Sequence, residues 1–224
     1  HLLMKSSLQA AEYVLYEPEQ IQYKSQIYQG VKSNSFLSDD WQIVTLERLF
    51  KTICNESLTS MVWRIPKVED RLKFLIDQVE RITGLQEFGV YLNKLFTIDA
   101  IFLNEDRHMH NIAVMMNGKG EFDYCPIFDN GGALLTDTTM DYPLDQDELL
   151  LMKEVHAKTI SSDFDEQLDA SEHFYGRNLR FSFTKKDVER LLAKPELNMY
   201  DMRIRTRVAN IFYQQMNKYK YLFY

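Results

Sequence analysis

Residues 88 to 131 leave few folds open to this chain. Phe88, Tyr91, Leu92, Leu95, Ile98 and Phe102 recur at three- and four-residue steps, which predicts an amphipathic helix over residues 86–103. That helix runs into the polar stretch Asn104-Glu105-Asp106, where it should stop. After Asn111 come Ile112-Ala113-Val114-Met115-Met116, then Asn117-Gly118-Lys119-Gly120, then the run from Phe122 to Phe128. Asn-Gly between two apolar runs is a strong short-range hairpin signal. A hairpin there returns the chain so that Asp129, leaving the second strand, lies near Asn111, leaving the preceding turn.

Two acids and one amide are thereby set on neighbouring turns: Asp106, Asn111 and Asp129. Mg²⁺ prefers oxygen ligands and commonly takes only one or two carboxylates from a protein, with phosphates and water completing its shell. Phosphoryl transfer asks a protein mainly for positioning and charge neutralisation. Taken singly, each residue has a plainer reading. An Asp after a helix is most often a solvated cap, and Asp129 before Asn130-Gly131-Gly132 could simply start a turn, since all three residue types favour turns. His108 and His110 could suggest a zinc pair, but no Cys or third His lies close by in sequence. The joint pattern is what points to an active site.

The same residues carry a resemblance to a known family. Asp106-Arg107-His108-x-x-Asn111 resembles the Asp-Arg-His-x-x-Asn loop of the HipA-like kinases and of the phosphatidylinositol 3- and 4-kinases. The four-residue gap between Asp106 and Asn111 is also that of the protein-kinase catalytic loop. Pro126-Ile127-Phe128-Asp129-Asn130-Gly131 resembles the metal-binding Asp motif of HipA-like proteins, with Asp-Asn-Gly in place of Asp-Phe-Gly. Asp163-Phe164-Asp165-Glu166-Gln167 and the Arg207-Val208 helix leading to Gln215, Lys218 and Tyr219 are similar to the endings of small bacterial members. The likeness covers roughly residues 85–224 and is strongest at the two loops.

The resemblance implies an α+β, protein kinase-like fold: a mainly helical catalytic lobe over residues 41–224, a catalytic-loop hairpin, and a reduced or truncated amino-terminal lobe over residues 1–40. It implies ATP and Mg²⁺ as cofactors and a Ser or Thr hydroxyl of a protein as acceptor, with autophosphorylation or an antitoxin-type partner as further options. Asp106 would take or orient the proton of the attacking hydroxyl, while Asn111 and Asp129 hold Mg²⁺ against the nucleotide phosphates. His108 would brace the loop, and Arg107 would pair with a nearby carboxylate or an activation-segment phosphate. A kinase also needs a Lys on the α- and β-phosphates. Lys5 is the best candidate, with Glu12 as its ion-pair partner, although a surface Lys and a surface Glu fit equally well. No Gly-rich loop stands in the early chain, where the first of eight glycines is Gly30. A phosphatidylinositol-type lipid kinase is the rival enzyme, and a nucleotide-binding regulatory module without turnover is the rival from another class.

Composition is compatible with this and excludes others. The formal charge of −7 argues against a broad nucleic-acid or anionic-membrane surface, which needs clustered Lys and Arg. No run approaches the ~18 apolar residues of a membrane span. Cys54 and Cys125 lack metal-type spacing, so a cytoplasmic setting with reduced thiols is expected.

Elsewhere the chain predicts a short strand at Leu2–Lys5, a helical stretch near Leu8–Leu15, and paired strands at Ile21–Tyr23 and Gln26–Phe36. Helices are expected over 41–54, from Val68 to Ile82, over 143–158, from Thr184 to before Pro195, and from about Tyr200 to Tyr221. Leu134 to Thr139 occupies the place of an activation segment, and its Thr136, Thr138 and Thr139 are hydroxyls that a phosphate could order through Arg107 or Arg177.

Overall fold

The computed structural model describes residues 1–224. Its two sheets are small and antiparallel. Strands β1 (Glu17–Tyr23) and β2 (Gln26–Lys32) form a hairpin in which Ile21 faces Tyr28. Strands β3 (Trp41–Thr45), β4 (Ala113–Asn117) and β5 (Phe122–Tyr124) form the second sheet in that order. The helices are α1 (Leu46–Cys54), α2 (Leu58–Trp63), α3 (Val68–Thr83), α4 (Phe88–Phe102), α5 (Glu148–Glu154), α6 (Phe164–Tyr175), α7 (Lys185–Leu192) and α8 (Met202–Lys218).

Helix α4 is the axis of the molecule. Eleven of its fifteen residues are buried, including the polar Asn93, Thr97 and Asp99. It packs against α3, α6 and α8. Asn93 joins it to α6 by donating to Ser171 Oγ at 3.0 Å, and it accepts from the Asn178 backbone N–H at 3.0 Å. Near the other end, Gln215 of α8 donates to the Ala100 carbonyl. A burial this complete is more than one amphipathic face needs, and the polar residues are tolerated because each has a partner.

The hairpin after α4 forms as the sequence predicts. Val114 pairs with Tyr124 and Met116 with Phe122, and the Asn117 carbonyl accepts from Gly120 N at 3.0 Å to close the turn. Several other expectations require correction. Trp41–Thr45 is a strand rather than the start of a helix: the β-branched run Ile43-Val44-Thr45 suits a pleated ladder, and β4 supplies the partner. Thr45 then caps α1, its Oγ1 accepting from Arg48 N at 3.3 Å. Leu2–Lys5 is a 3₁₀ turn rather than a strand, and between Leu8 and Leu15 only Ala10–Glu12 makes a 3₁₀ turn. In the 143–158 stretch, only Glu148–Glu154 is helical. Arg207 holds the carbonyls of Tyr142 and Pro143 (2.6 and 2.7 Å), and the start of that segment is a turn closed by Gln146 N on the Pro143 carbonyl. Helices α2 and α6 were not anticipated.

The remaining punctuation is as read. Gly84 ends α3 with φ +77°, and Thr184 caps α7 in a capping box with Asp187. The aromatic end of the chain docks on the body: Tyr219 and Leu222 are buried, and Tyr219 donates to Asp165 Oδ1 at 2.6 Å.

Candidate functional site

Asp106 follows α4 through a short strained exit. Leu103 caps the helix in the left-handed region at φ +49°, a costly conformation for a branched apolar residue. Asn104 is fully buried and donates to Asp99 Oδ1 at 2.9 Å, while its own Oδ1 accepts from Asp106 N at 3.3 Å. The acid is thus hung from the end of α4 by side-chain hydrogen bonds.

Arg107 joins the two loops. It is 1% exposed and directs its guanidinium at five acceptors. Nε and Nη2 donate to the Asp99 carboxylate at 3.2–3.3 Å. Nη1 donates to the carbonyls of Asn111 (3.0 Å) and Phe128 (2.7 Å), and Nη2 also reaches Asn130 Oδ1. Burial pushes the Asp99 carboxyl up, against the opposing pull of the Arg107 guanidinium and the Asn104 amide. One side chain therefore sets the end of the first loop against the start of the Asp129 turn. A planar fork with several fixed donors suits that task where a lysine would not.

A second seam lies alongside. Glu105 N donates to the Gly132 carbonyl at 3.0 Å. A Cβ on Gly132 would stand 2.6 Å from the Asp106 Cβ, so the absence of a side chain there lets the two turns touch. Asp129 itself adopts φ +52° and is exposed, with its backbone N–H directed at the Tyr16 hydroxyl at 3.4 Å. A non-glycine residue held at positive φ between two anchored neighbours is typical of functional turns.

Asn111 donates from Nδ2 to the Asp106 carbonyl at 2.9 Å. This anchors the amide nitrogen and leaves the oxygen as its free end. A carboxylate and an amide oxygen are donors of the kind a hard divalent cation accepts alongside phosphates and water. No group of three or more His, Cys, Asp or Glu side chains is placed to hold a metal alone. His108 stands beside Asp106, with Nε2 3.6 Å from Oδ1. Its Nδ1 accepts from His110 N at 3.3 Å, which leaves Nε2 facing the acid. His108 is thus placed to brace the loop.

The candidate residues of the early chain do not come together. Lys5 pairs with Asp187 at the start of α7 (2.8 Å), and Glu12 pairs with Lys94 of α4 (2.5 Å). The apolar Leu2 and Leu3 beside Lys5 enter the main core instead of a strand, which turns the ammonium toward α7. Arg107 does pair with a nearby carboxylate, but its burial leaves no donor for a phosphate on Thr136, Thr138 or Thr139. Arg177 is held by Glu172 at 2.9 Å. The expected link from those threonines to Arg107 finds no free N–H, every donor of the guanidinium being engaged.

Two residues escaped the sequence reading. Asp99 was hidden in the apolar run of α4, although a lone carboxylate at a core position of a helix is itself a signal, since burying one requires a cationic partner. Lys158, from the segment after α5, reaches within 4.0 Å of Asp106 Oδ1. No spacing rule connects residues so far apart. Two cavities meet at Pro126, in the segment between β5 and Asp129. One, of about 190 Å³, is lined by Glu12, Tyr91, Lys94, Tyr124 and Cys125. The other, of about 240 Å³, lies among Tyr13, Val14, Asn34, Ser35, Phe36 and Pro126.

Helical body and small sheets together make an α+β fold that resembles a solved bacterial kinase structure. Among solved structures, the chain is similar to the crystal structure of the proinflammatory kinase CtkA of Helicobacter pylori. The TM-score is 0.61 at 16% sequence identity, over 97% of this chain and 80% of that one. No protein-family model and no curated protein sequence matches the chain.

Proposed function

We propose that this chain is an ATP-dependent protein kinase of the HipA-like kind, transferring the γ-phosphoryl group to a Ser or Thr hydroxyl. The observation that carries the reading is the Arg107 clamp, because it ties together the two loops that carry the motifs. The fold likeness to a bacterial kinase supports it.

In the proposed reaction Asp106, half-exposed at the end of its loop, accepts the hydroxyl proton as the oxygen attacks the γ-phosphorus. The new O–P bond forms as the bond to the β-phosphate oxygen breaks, and ADP leaves with that electron pair. His108 and Asn111 hold the loop that carries the acid. Asn111 Oδ1 and the Asp129 carboxylate would hold Mg²⁺, which when bound neutralises charge on the phosphates. Asp129 is kept in its left-handed turn by the bonds that Arg107 makes to Phe128 and Asn130.

The test is transfer from γ-labelled ATP to protein acceptors and, in a parallel arm, to inositol lipids. Wild type should label protein, on itself or on an added substrate, while Asp106→Ala and Asp129→Ala lose at least about a hundredfold, in line with the loss of a general base or a metal ligand. Labelling of lipid alone would replace the protein-kinase reading with the lipid one. Wild-type turnover in either variant would remove that residue from the mechanism.

A further inference from the structure

We propose that Lys158 is a catalytic lysine of this site, placed to donate to the oxygens of the phosphoryl group in transfer. The inference rests on the kinase reading and adds a residue from outside both loop motifs.

The residues around Lys158 form an unusual segment. After α5 ends at Glu154, the chain is extended and alternates strictly: Val155, Ala157 and Thr159 are buried, while His156 and Lys158 point outward. Ile160 and Ser161 are buried too. A loop with this much burial must satisfy its backbone internally, and here the partners are specific. Thr159 Oγ1 donates to the Arg107 carbonyl at 2.6 Å, with Thr159 itself fully buried. Arg71 of α3 donates to the Ile160 carbonyl at 2.9 Å, and Ala157 N donates to the Ser162 carbonyl at 3.0 Å. Ser161 is tied to Glu166 of α6.

The consequence is a fixed mounting for one cation. The residue next to Lys158 is bonded to the residue next to Asp106, so the two side chains leave neighbouring backbones toward the same space. Lys158 Nζ lies 4.0 Å from Asp106 Oδ1 and forms no other ion pair. At that distance the ammonium is attracted to the acid without being consumed by a hydrogen bond. Its three N–H donors remain available to an incoming anion. An anionic phosphoryl group brought up to a carboxylate base meets like charge, and a cation held at the same spot offsets it. Preorganised donors aimed at developing charge are commonly the largest single contribution to catalysis. The hydroxyl proton goes to Asp106.

The experiment compares wild type, Lys158→Met and Lys158→Arg, with Lys186→Met on the exposed face of α7 as a control. Under labelled Mg-ATP, Lys158→Met should lower kcat about 10²- to 10³-fold, the range seen when one transition-state donor is removed. The KM for ATP should move less than about threefold, because ground-state binding is left to the other contacts. Lys158→Arg should recover a large part of kcat, and Lys186→Met should match wild type. A Lys158→Met enzyme within twofold of wild-type kcat overturns the proposal and leaves the kinase reading standing.

A binding arm separates the two readings if wild type shows no turnover. Calorimetry is run with Mg-ADP and with Mg-ADP plus aluminium fluoride, which imitates the group in flight. The proposal requires the fluoride to tighten binding to wild type at least about tenfold and to lose that gain in Lys158→Met, a difference of about 1.4 kcal/mol. An equal gain in both proteins overturns the lysine assignment alone. Failure of wild type to bind either form overturns the kinase reading, and Lys158 with it.

Discussion

Removing the Arg107 guanidinium should unfasten the site and much of the fold with it. Arg107→Met leaves the Asp99 carboxylate in the core with a single remaining donor, Asn104 Nδ2, and strips the Asn111 and Phe128 carbonyls of theirs. Breaking a buried ion pair by deleting one partner costs about 3–5 kcal/mol. Each carbonyl left without a donor adds about 1–3 kcal/mol where water does not replace it. The penalties overlap because the loops can relax, so a loss of about 5 kcal/mol is expected against a total stability of about 5–15 kcal/mol. For a chain of this length that is a fall in Tm of about 10–20 °C.

Asp99→Asn should also destabilise, since it leaves Arg107 charged and unpaired. The double variant removes both charges and should recover part of the loss. The coupling in a double-mutant cycle, read by urea unfolding, should reach about 2 kcal/mol or more. Arg107→Lys keeps the charge but cannot serve Asp99 and the two backbone carbonyls at once, so it should rescue little. Additivity of the two single variants to within about 0.5 kcal/mol would mean that Arg107 and Asp99 act independently. The clamp would then no longer explain how the loops are joined.

Two further outcomes follow from the geometry. Gly132→Ala places a methyl 2.6 Å from the Asp106 Cβ, so it should cost about 1–3 kcal/mol by overpacking and lower kcat, whereas an unchanged kcat would show that the seam does not position the acid. Burial pushes the Cys125 thiol up to about 12 from an ordinary 9. Because the folded state holds that proton more tightly, the contribution is whole below pH 9 and is lost as pH rises toward 12. Wild type should lose about 2 kcal/mol more than Cys125→Ala between pH 8.5 and 10.5, and parallel stability curves would refute the assignment.

Local rules were enough for the centre of the molecule. The three- and four-residue rhythm of α4, the Asn-Gly turn and the two acid-bearing stretches depend on contacts within a few residues, so they could be read before any fold was known. The brevity of the helix in residues 143–158 and the strand at residues 41–45 could not. Arg207 decides the first from α8, and β4 decides the second from some seventy residues away.

The candidate site divides along the same line. Asp106, Asn111 and Asp129 declare themselves through spacing, because backbone geometry places residues around a turn or a hairpin. The resemblance offers Lys5 and Glu12 as an ion pair, yet each finds its partner elsewhere, in Asp187 and Lys94. Asp99 meets the Arg107 guanidinium through the packing of α4, and Lys158 comes to the acid only through the pinned segment after α5. Spacing along the chain determined which groups could do chemistry; tertiary structure decided which charges face them. Electrostatic interaction depends on distance through space and on the water excluded between the groups, and neither is encoded in separation along the chain.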